Sequence, residues 1–260
     1  MRTPGSDRPF IVGLALLGGL YVALIVALVV ADAAYLKPSL AWQTLTDPYI
    51  RFAVKLSLFA TTASAVLSLI VAVPLGYLMS RYEFRGKRLL DAVIDVPIVL
   101  PPIVVGMSLL ILFRWSDSIP YSKGSVVLAQ FAVAGAFAVR TMRVTFDQLG
   151  PRSEQVAMTL GCTRAQAFRR VVLPESRHGM IAAFTLAWAR SLGEFGPVLV
   201  FSGATRGRTE VLSTSVYLEY SIGRLEGAVA ISLLMVAVSV GVLIVLRLYG
   251  TGPLPGRVAR

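Results

Sequence analysis

Long uncharged stretches alternate along the chain with short, strongly basic ones. Pro9 to Ala31 is the first apolar run and Leu56 to Ser80 the second, each of the length (roughly 20 residues) that a helix needs to cross a bilayer. Val96 to Phe113 is shorter and is interrupted by Pro97, Pro101 and Pro102. Gly124 to Val139 is the weakest of the series, Gly179 to Ser202 is apolar except for Arg190 and Glu194, and Gly227 to Leu246 is uncharged throughout. The pattern predicts an all-α integral membrane protein, a single domain over 1–260. Six helices are expected near 9–31, 54–80, 95–113, 124–146, 179–202 and 226–248, with a polar connection over 147–178. Arg2, Arg8 and the sequence Ala31-Asp32-Ala33 imitate a secretory signal around the first run. That run exceeds the roughly 7–15 apolar residues of a signal core, so a retained helix is expected.

Composition sharpens this picture. The chain has 260 residues, 56% hydrophobic and 15% charged, with a mean hydropathy of +0.73. That much apolar surface excludes a disordered chain. One cysteine and one histidine leave neither a disulfide framework nor a Cys/His metal cluster. The net charge of +11, from 25 basic and 14 acidic side chains, would point to nucleic acid in a soluble protein. Its distribution argues otherwise. Arg2, Arg8, Arg81, Arg85, Lys87, Arg88, Arg140, Arg143, Arg152, Arg164, Arg169, Arg170, Arg177, Arg247, Arg257 and Arg260 all fall on one face of the six-span arrangement. Lys37, Arg51, Arg114, Lys123, Arg206, Arg208 and Arg224 fall on the other, while Lys55 and Arg190 lie within spans. The positive-inside rule places the richer face, and both termini, in the cytoplasm of a multi-pass inner-membrane protein. The basic excess is a topological signal, and no nucleic-acid partner is expected.

The connection between the fourth and fifth spans has its own punctuation. Pro151 suits the first turn of a helix, Glu154 to Leu160 reads as helix, and Gly161 can end it in a left-handed conformation. Thr163 is a candidate N-cap for a second short helix reaching about Arg170, and Pro174 is expected to end the segment. Two short helices folded about a glycine make a compact knob suited to docking; nothing in it is an activated nucleophile or a metal ligand.

The stretch QVAMTLGCTRAQAFRRVVLP resembles the "EAA" motif of ATP-binding-cassette importer permeases: Glu-Ala-Ala, three residues, Gly, nine residues, Ile, any residue, Leu-Pro. Aligned on Gly161, the motif's end falls on Val171, Leu173 and Pro174, and its opening on Gln155, Val156 and Ala157, with Glu154 adjacent. Gln155 stands where the motif has Glu. The resemblance implies a type I importer permease fold in which this loop is the coupling helix that docks on a nucleotide-binding subunit. Glu154, Gln155, Ala157, Gly161, Thr163, Phe168, Val171, Leu173 and Pro174 are then the docking residues. DVPIVLPPIVVGMSLLILF and ARSLGEFGPVLVFSG, with Gly193-Glu194-Phe195-Gly196 and Arg208-Thr209, resemble segments of molybdate-type oxyanion permeases and, less closely, sulfate permeases. This resemblance implies import of a tetrahedral oxyanion (molybdate or tungstate, with sulfate or thiosulfate as the alternative). It also implies a homodimeric pathway, an extracytoplasmic binding protein meeting the loop from Gly203 to Leu225, and ATP and Mg bound by the partner ATPase, with no cofactor in this chain.

Arg190 and Glu194 are opposite charges at i and i+4 inside a span, where they can pair. Charges in such positions normally face protein or water. They either line a translocation path with Gly193, Phe195, Gly196, Pro101 and Pro102, or neutralise each other and set packing. Prolines in a membrane helix are compatible with a cavity or with a packing kink. Ala60, Ala63, Ser64 and Ala65 permit close helix approach. Cys162 reads as an ordinary small residue, and His178 as a polar residue at the membrane boundary. An intramembrane enzyme would need a nucleophile–base pair or metal ligands within the spans, and only Lys55, Arg190 and Glu194 are ionisable there. A secondary transporter would be expected to show midplane ion sites and internal repeats. No Gly-x-x-x-x-Gly-Lys-Ser/Thr occurs, so ATP hydrolysis is assigned to another polypeptide.

Overall fold

The computed structural model describes residues 8–250, and every regular element among them is helical. In chain order these are α1 (Arg8–Tyr35), α2 (Pro38–Thr46), α3 (Pro48–Arg81), α4 (Lys87–Val99), α5 (Pro102–Leu112), α6 (Lys123–Leu149), α7 (Arg152–Thr159), α8 (Arg164–Ala167), a π-turn (Phe168–Val172), α9 (Leu173–Glu175), α10 (Arg177–Leu192), α11 (Gly196–Ser202), α12 (Leu212–Ser221) and α13 (Leu225–Gly250). Local chemistry sets the boundaries. Pro48 and Pro102 stand in first turns, where a missing N–H is no loss. Asp47 caps α3 by accepting from Tyr49 N at 2.8 Å, and Ser122 caps α6 by accepting from Ser125 N at 3.1 Å. Arg2, Arg257 and Arg260, which contribute to the expected orientation, lie outside the described residues.

Among the described residues, α1, α3, α6 and α13 are each long and apolar enough to cross a membrane; α4 and α5 supply a fifth candidate if the pair, bent by 111°, counts as one span. Two of the expected spans are each broken in two: 95–113, where the prolines interrupt the run, and 179–202, which was expected as one helix. The first breaks between Val99 and Pro102: Leu100 precedes a proline and is forced extended (φ −66°, ψ 141°). The second breaks between Leu192 and Gly196, where Gly193 ends α10 and Pro197 withdraws a donor at the start of α11.

Apolarity tracks position in the bundle. The spans of α1 and α13 have mean hydropathies of 2.7 and 2.9 and are 0% and 11% buried, whereas α3 and α6, at 2.1 and 1.5, are 44% and 61% buried. Helices facing lipid must be apolar all round, while inner helices can carry polar groups satisfied by neighbours. The stretch Gly124 to Val139 is weakly hydrophobic because α6 is the central helix.

The core lies where α3, α6 and α10 meet. Ala65, Ala72, Ala134, Ala138, Ala183 and Ala187 are buried at the contacts, and Met79, Met142, Phe146 and Trp188 fill the space around them. Small residues bring the backbones close, which is how helices gain packing energy without a hydrophobic drive between them. Ser64 and Ser191 hydroxyls bond across α3 and α10 at 2.9 Å, and Trp188 Nε1 donates to Thr62 Oγ1 at 3.2 Å. A second cluster of Leu56, Ala60, Val126, Ala129, Val198, Phe201 and Val211 seats α11 against the opposite ends of α3 and α6. The segment Gly203 to Leu225, expected as a water-facing loop, therefore folds partly inward: it contains α12, buries Thr209, Glu210 and Leu212, and ties Leu212 N to Ser57 Oγ at 2.8 Å.

Candidate functional site

The knob over 150–177 is built as two helices about Gly161. Gly161 N bonds Met158 O at 3.0 Å and Cys162 N bonds Ala157 O at 3.1 Å, the paired bonds of a Schellman stop, and Gly161 adopts the φ of +92° that this geometry requires. Thr163 then opens α8 with a capping box, its hydroxyl accepting from Gln166 N at 3.3 Å while Gln166 Oε1 accepts from Thr163 N at 2.9 Å. Thr163→Ala is expected to destabilise this helix start by about 1 kcal/mol. Faster amide hydrogen exchange confined to Arg164–Ala167 is the readout, and unchanged exchange there would contradict it.

Pro174 does not end the segment. Helix continues through the π-turn and α9 to Glu175 and resumes as α10 after Ser176. Pro174 has no N–H to give the carbonyl a turn back; the π-turn before it widens the helix where that bond is missing.

The predicted docking residues divide by side. Glu154 and Ala157 are buried, Phe168, Val171 and Leu173 are half-buried, and Gln155, Gly161, Thr163 and Pro174 are exposed. Glu154, expected on the docking surface, points inward: it accepts from Tyr77 Oη at 2.5 Å and Arg81 Nε at 3.3 Å, both on α3. Arg81 also donates to Gly150 O at 2.7 Å. The Tyr77 ring lies 4.6 Å from Phe168 and 5.6 Å from Phe146. Arg164 donates to Tyr82 Oη at 2.9 Å, with its guanidinium 5.3 Å from that ring. On the other side of α7, Val156 and Leu160 are exposed, Leu160 at 80%.

Arg140 and Arg143, grouped by the sequence pattern with the connection, are instead in the last turns of α6 and face α4. Arg140 pairs with Asp95 and lies 3.4 Å from Asp91; Arg143 lies 2.6 Å from Asp91. Sequence reasoning passed over this strap, although the i, i+4 spacing of the two Asp and the i, i+3 spacing of the two Arg put each pair on one face of its own helix.

The second set of predicted residues is brought together. Arg190 Nη1 lies 2.8 Å from Glu194 Oε1; Glu194 is 1% exposed and the Arg190 side chain 33%. The contact is ionic without an aligned hydrogen bond, and the Arg190 guanidinium also lies 5.6 Å from the Phe137 ring. Pro102, Ile103, Arg190, Gly193, Glu194, Phe195 and Gly196 line a cavity of about 280 Å³, and Pro101 immediately precedes the adjoining helix start. Two interrupted helices thus meet at one charged pair. Their approach depends on glycine: a Cβ at Gly106 would sit 2.8 Å from Pro197 Cα, and one at Gly196 2.9 Å from Ile103 N.

At the end opposite the knob, Glu210 is buried and accepts from Ser215 Oγ at 2.8 Å. Burial pushes its carboxyl above the ordinary range, against the Ser215 hydrogen bond and the nearby Arg206. Glu219 pairs with Arg206 and lies 3.9 Å from Arg224. In the sequence these residues read as loop charges; their pairing depends on α12, which the hydrophobic pattern does not disclose.

A family model described as the binding-protein-dependent transport system inner membrane component matches residues 72–251. The sulfate transport system permease protein CysT of Salmonella typhimurium is 33% identical over 209 residues, 76% of each chain. The molybdate/tungstate transport system permease protein WtpB of Pyrococcus abyssi is 35% identical over 205 residues, 79% of this chain and 80% of the relative. A bacterial alginate ABC transporter, solved in complex with a periplasmic protein carrying an alginate pentasaccharide, has a chain that superposes with a TM-score of 0.72 at 14% identity, over 96% of both chains.

Proposed function

This chain belongs to the inner membrane components of binding-protein-dependent transport systems, and from that membership we propose that it is the membrane path for a tetrahedral oxyanion, molybdate or tungstate. The chain is an importer permease and not an enzyme; ATP hydrolysis belongs to a partner ATPase. Six membrane passages, counting the two interrupted helix pairs as one each, put the knob and both termini in the cytoplasm. Two copies enclose the path. ATPase subunits with their ATP and Mg dock on the exposed side of the knob, around Gln155, Val156, Leu160 and Gly161. A binding protein delivers cargo at the opposite face, near Arg206 and Arg224. ATP-driven closure of the ATPase pair shifts the helices between outward- and inward-open states by binding one state better than the other.

The single observation that carries the path is the meeting of α5 and α11, both interrupted helices, at the Arg190–Glu194 pair around a cavity. Irregular backbone and charge within a membrane are tolerated where they face protein or water, and this position offers both. The choice of cargo rests on the relatives, and the similarity to a sulfate permease makes sulfate the second reading.

Reconstitution in proteoliposomes with the partner ATPase and binding protein tests the proposal. ATP-dependent accumulation of labelled molybdate or tungstate, reduced by less than half by a tenfold excess of sulfate, is the expected result (a reduction by half would mark about tenfold selectivity, 1.4 kcal/mol). Preferential sulfate accumulation would transfer the cargo assignment, and gradient-driven uptake without ATP would overturn the importer mechanism.

A further inference from the structure

The buried side of the knob has a chemistry that the docking reading does not use. Glu154 is 4% exposed, yet both its oxygens are engaged by one helix outside the knob: Tyr77 at 2.5 Å and Arg81 at 3.3 Å. Tyr77 and Arg81 are i and i+4, stacked on one side of the last turns of α3. Arg81 is itself buried, its side chain 10% exposed, and it also holds the Gly150 carbonyl where the chain enters the knob. A charge pair withdrawn from water to this extent resists separation, because parting it leaves two uncompensated buried charges.

The second half of the knob is held by the same helix end. Phe168, in the π-turn, lies against the Tyr77 ring at 4.6 Å, and Arg164, four residues earlier, donates to the Tyr82 hydroxyl at 2.9 Å. Each of the two helices around Gly161 is therefore fastened to the end of α3, with Tyr77 shared between them. Beyond this point α3 runs through the core, where its Ser64 and Thr62 bond Ser191 and Trp188 of α10. Arg190, at the cavity, lies between those two α10 residues in sequence.

We propose that Glu154, Tyr77 and Arg81 form a clamp that makes the knob and α3 one rigid lever, so that displacement of the knob reaches the Arg190 cavity through α3 and α10. These are positioning residues: they touch neither cargo nor ATPase, and they act by preventing the knob from swivelling about its loops. The inference rests on the docking reading, since the lever needs a partner to move it. Contiguous contacts alone do not establish coupling between sites, so the test measures coupling.

Tyr77→Phe removes only the hydroxyl bond to Glu154 and keeps the ring stack; Arg81→Gln removes the counter-charge and keeps a donor. In proteoliposomes containing the permease, ATPase and binding protein, both variants are expected to co-purify with the ATPase. ATP turnover should persist while anions carried per ATP fall about tenfold, a typical coupling factor between sites. Unchanged anions per ATP in both variants, with the complex intact, would overturn the clamp. Failure of the wild-type permease to bind the ATPase, or full binding by Leu160→Asp on the exposed side, would instead overturn the docking reading. A second measurement needs no clamp variant. Spin labels at Thr159 and at Leu78, an exposed residue of α3, in the assembled transporter should keep one separation with and without ATP, and a change in that separation would show that the knob swivels and no lever exists.

Discussion

Arg190→Ala is expected to lower uptake per permease molecule in the membrane by about 100-fold, equivalent to roughly 3 kcal/mol. The expectation follows from the asymmetry of the pair: Glu194 is 1% exposed, whereas a third of the Arg190 side chain reaches the cavity. Removing the arginine leaves a buried carboxylate without a counter-charge. Removing the other charge, in Glu194→Gln, leaves an arginine that the cavity and the Phe137 ring still accommodate. The second variant should therefore retain more membrane abundance, and its uptake per molecule should fall less. Uptake assays normalised to quantitative membrane immunoblots check both statements. If uptake and abundance decline in the same proportion in both variants, the pair fixes packing and takes no part in the path.

Gly106→Val and Gly196→Ala should each displace α5 from α11 and destabilise the protein by about 1–3 kcal/mol, the usual cost of overpacking. The neighbouring atoms are backbone, Pro197 Cα at 2.8 Å and Ile103 N at 2.9 Å, so no side chain can turn aside to make room. Gly18→Ala on α1 is the control, since nothing lies within 4 Å of a Cβ there and alanine favours helix over glycine. Thermal unfolding of detergent-purified protein should show a lowered Tm for the first two and none for the control. An unaltered Tm in Gly106→Val would mean that α5 and α11 are not in close contact in the membrane.

Much of the architecture is legible in the sequence because membrane helices announce themselves locally. The uncharged runs behind α1, α3 and α13 follow from bilayer thickness alone, and the α7 stop at Gly161 and the α8 start at Thr163 follow from turn chemistry within a few residues. The motif residues around Gly161 can therefore be located from the chain's own punctuation. Their facing cannot. Glu154 and Gln155 are adjacent acid and amide on one short helix, and nothing in their own sequence says which turns inward; that depends on Tyr77 and Arg81, more than 70 residues earlier. Pro174 escapes the local reading for a related reason, because a π-turn is an accommodation made by neighbouring turns.

Arg190 and Glu194 mark the limit of the local reading. Their i, i+4 spacing determined that they can pair, and Pro101 and Pro102 determined that one helix would break; the break after Gly193 came from the structure. That both breaks meet at one cavity, that Asp91 and Asp95 neutralise Arg140 and Arg143, and that Glu210 and Glu219 are buried by α12 came from the folded chain alone. The physical reason is common to all of them. Helix formation is decided by bonds reaching four residues along the chain, whereas the burial and pairing of a charge are decided by whichever other helices arrive beside it.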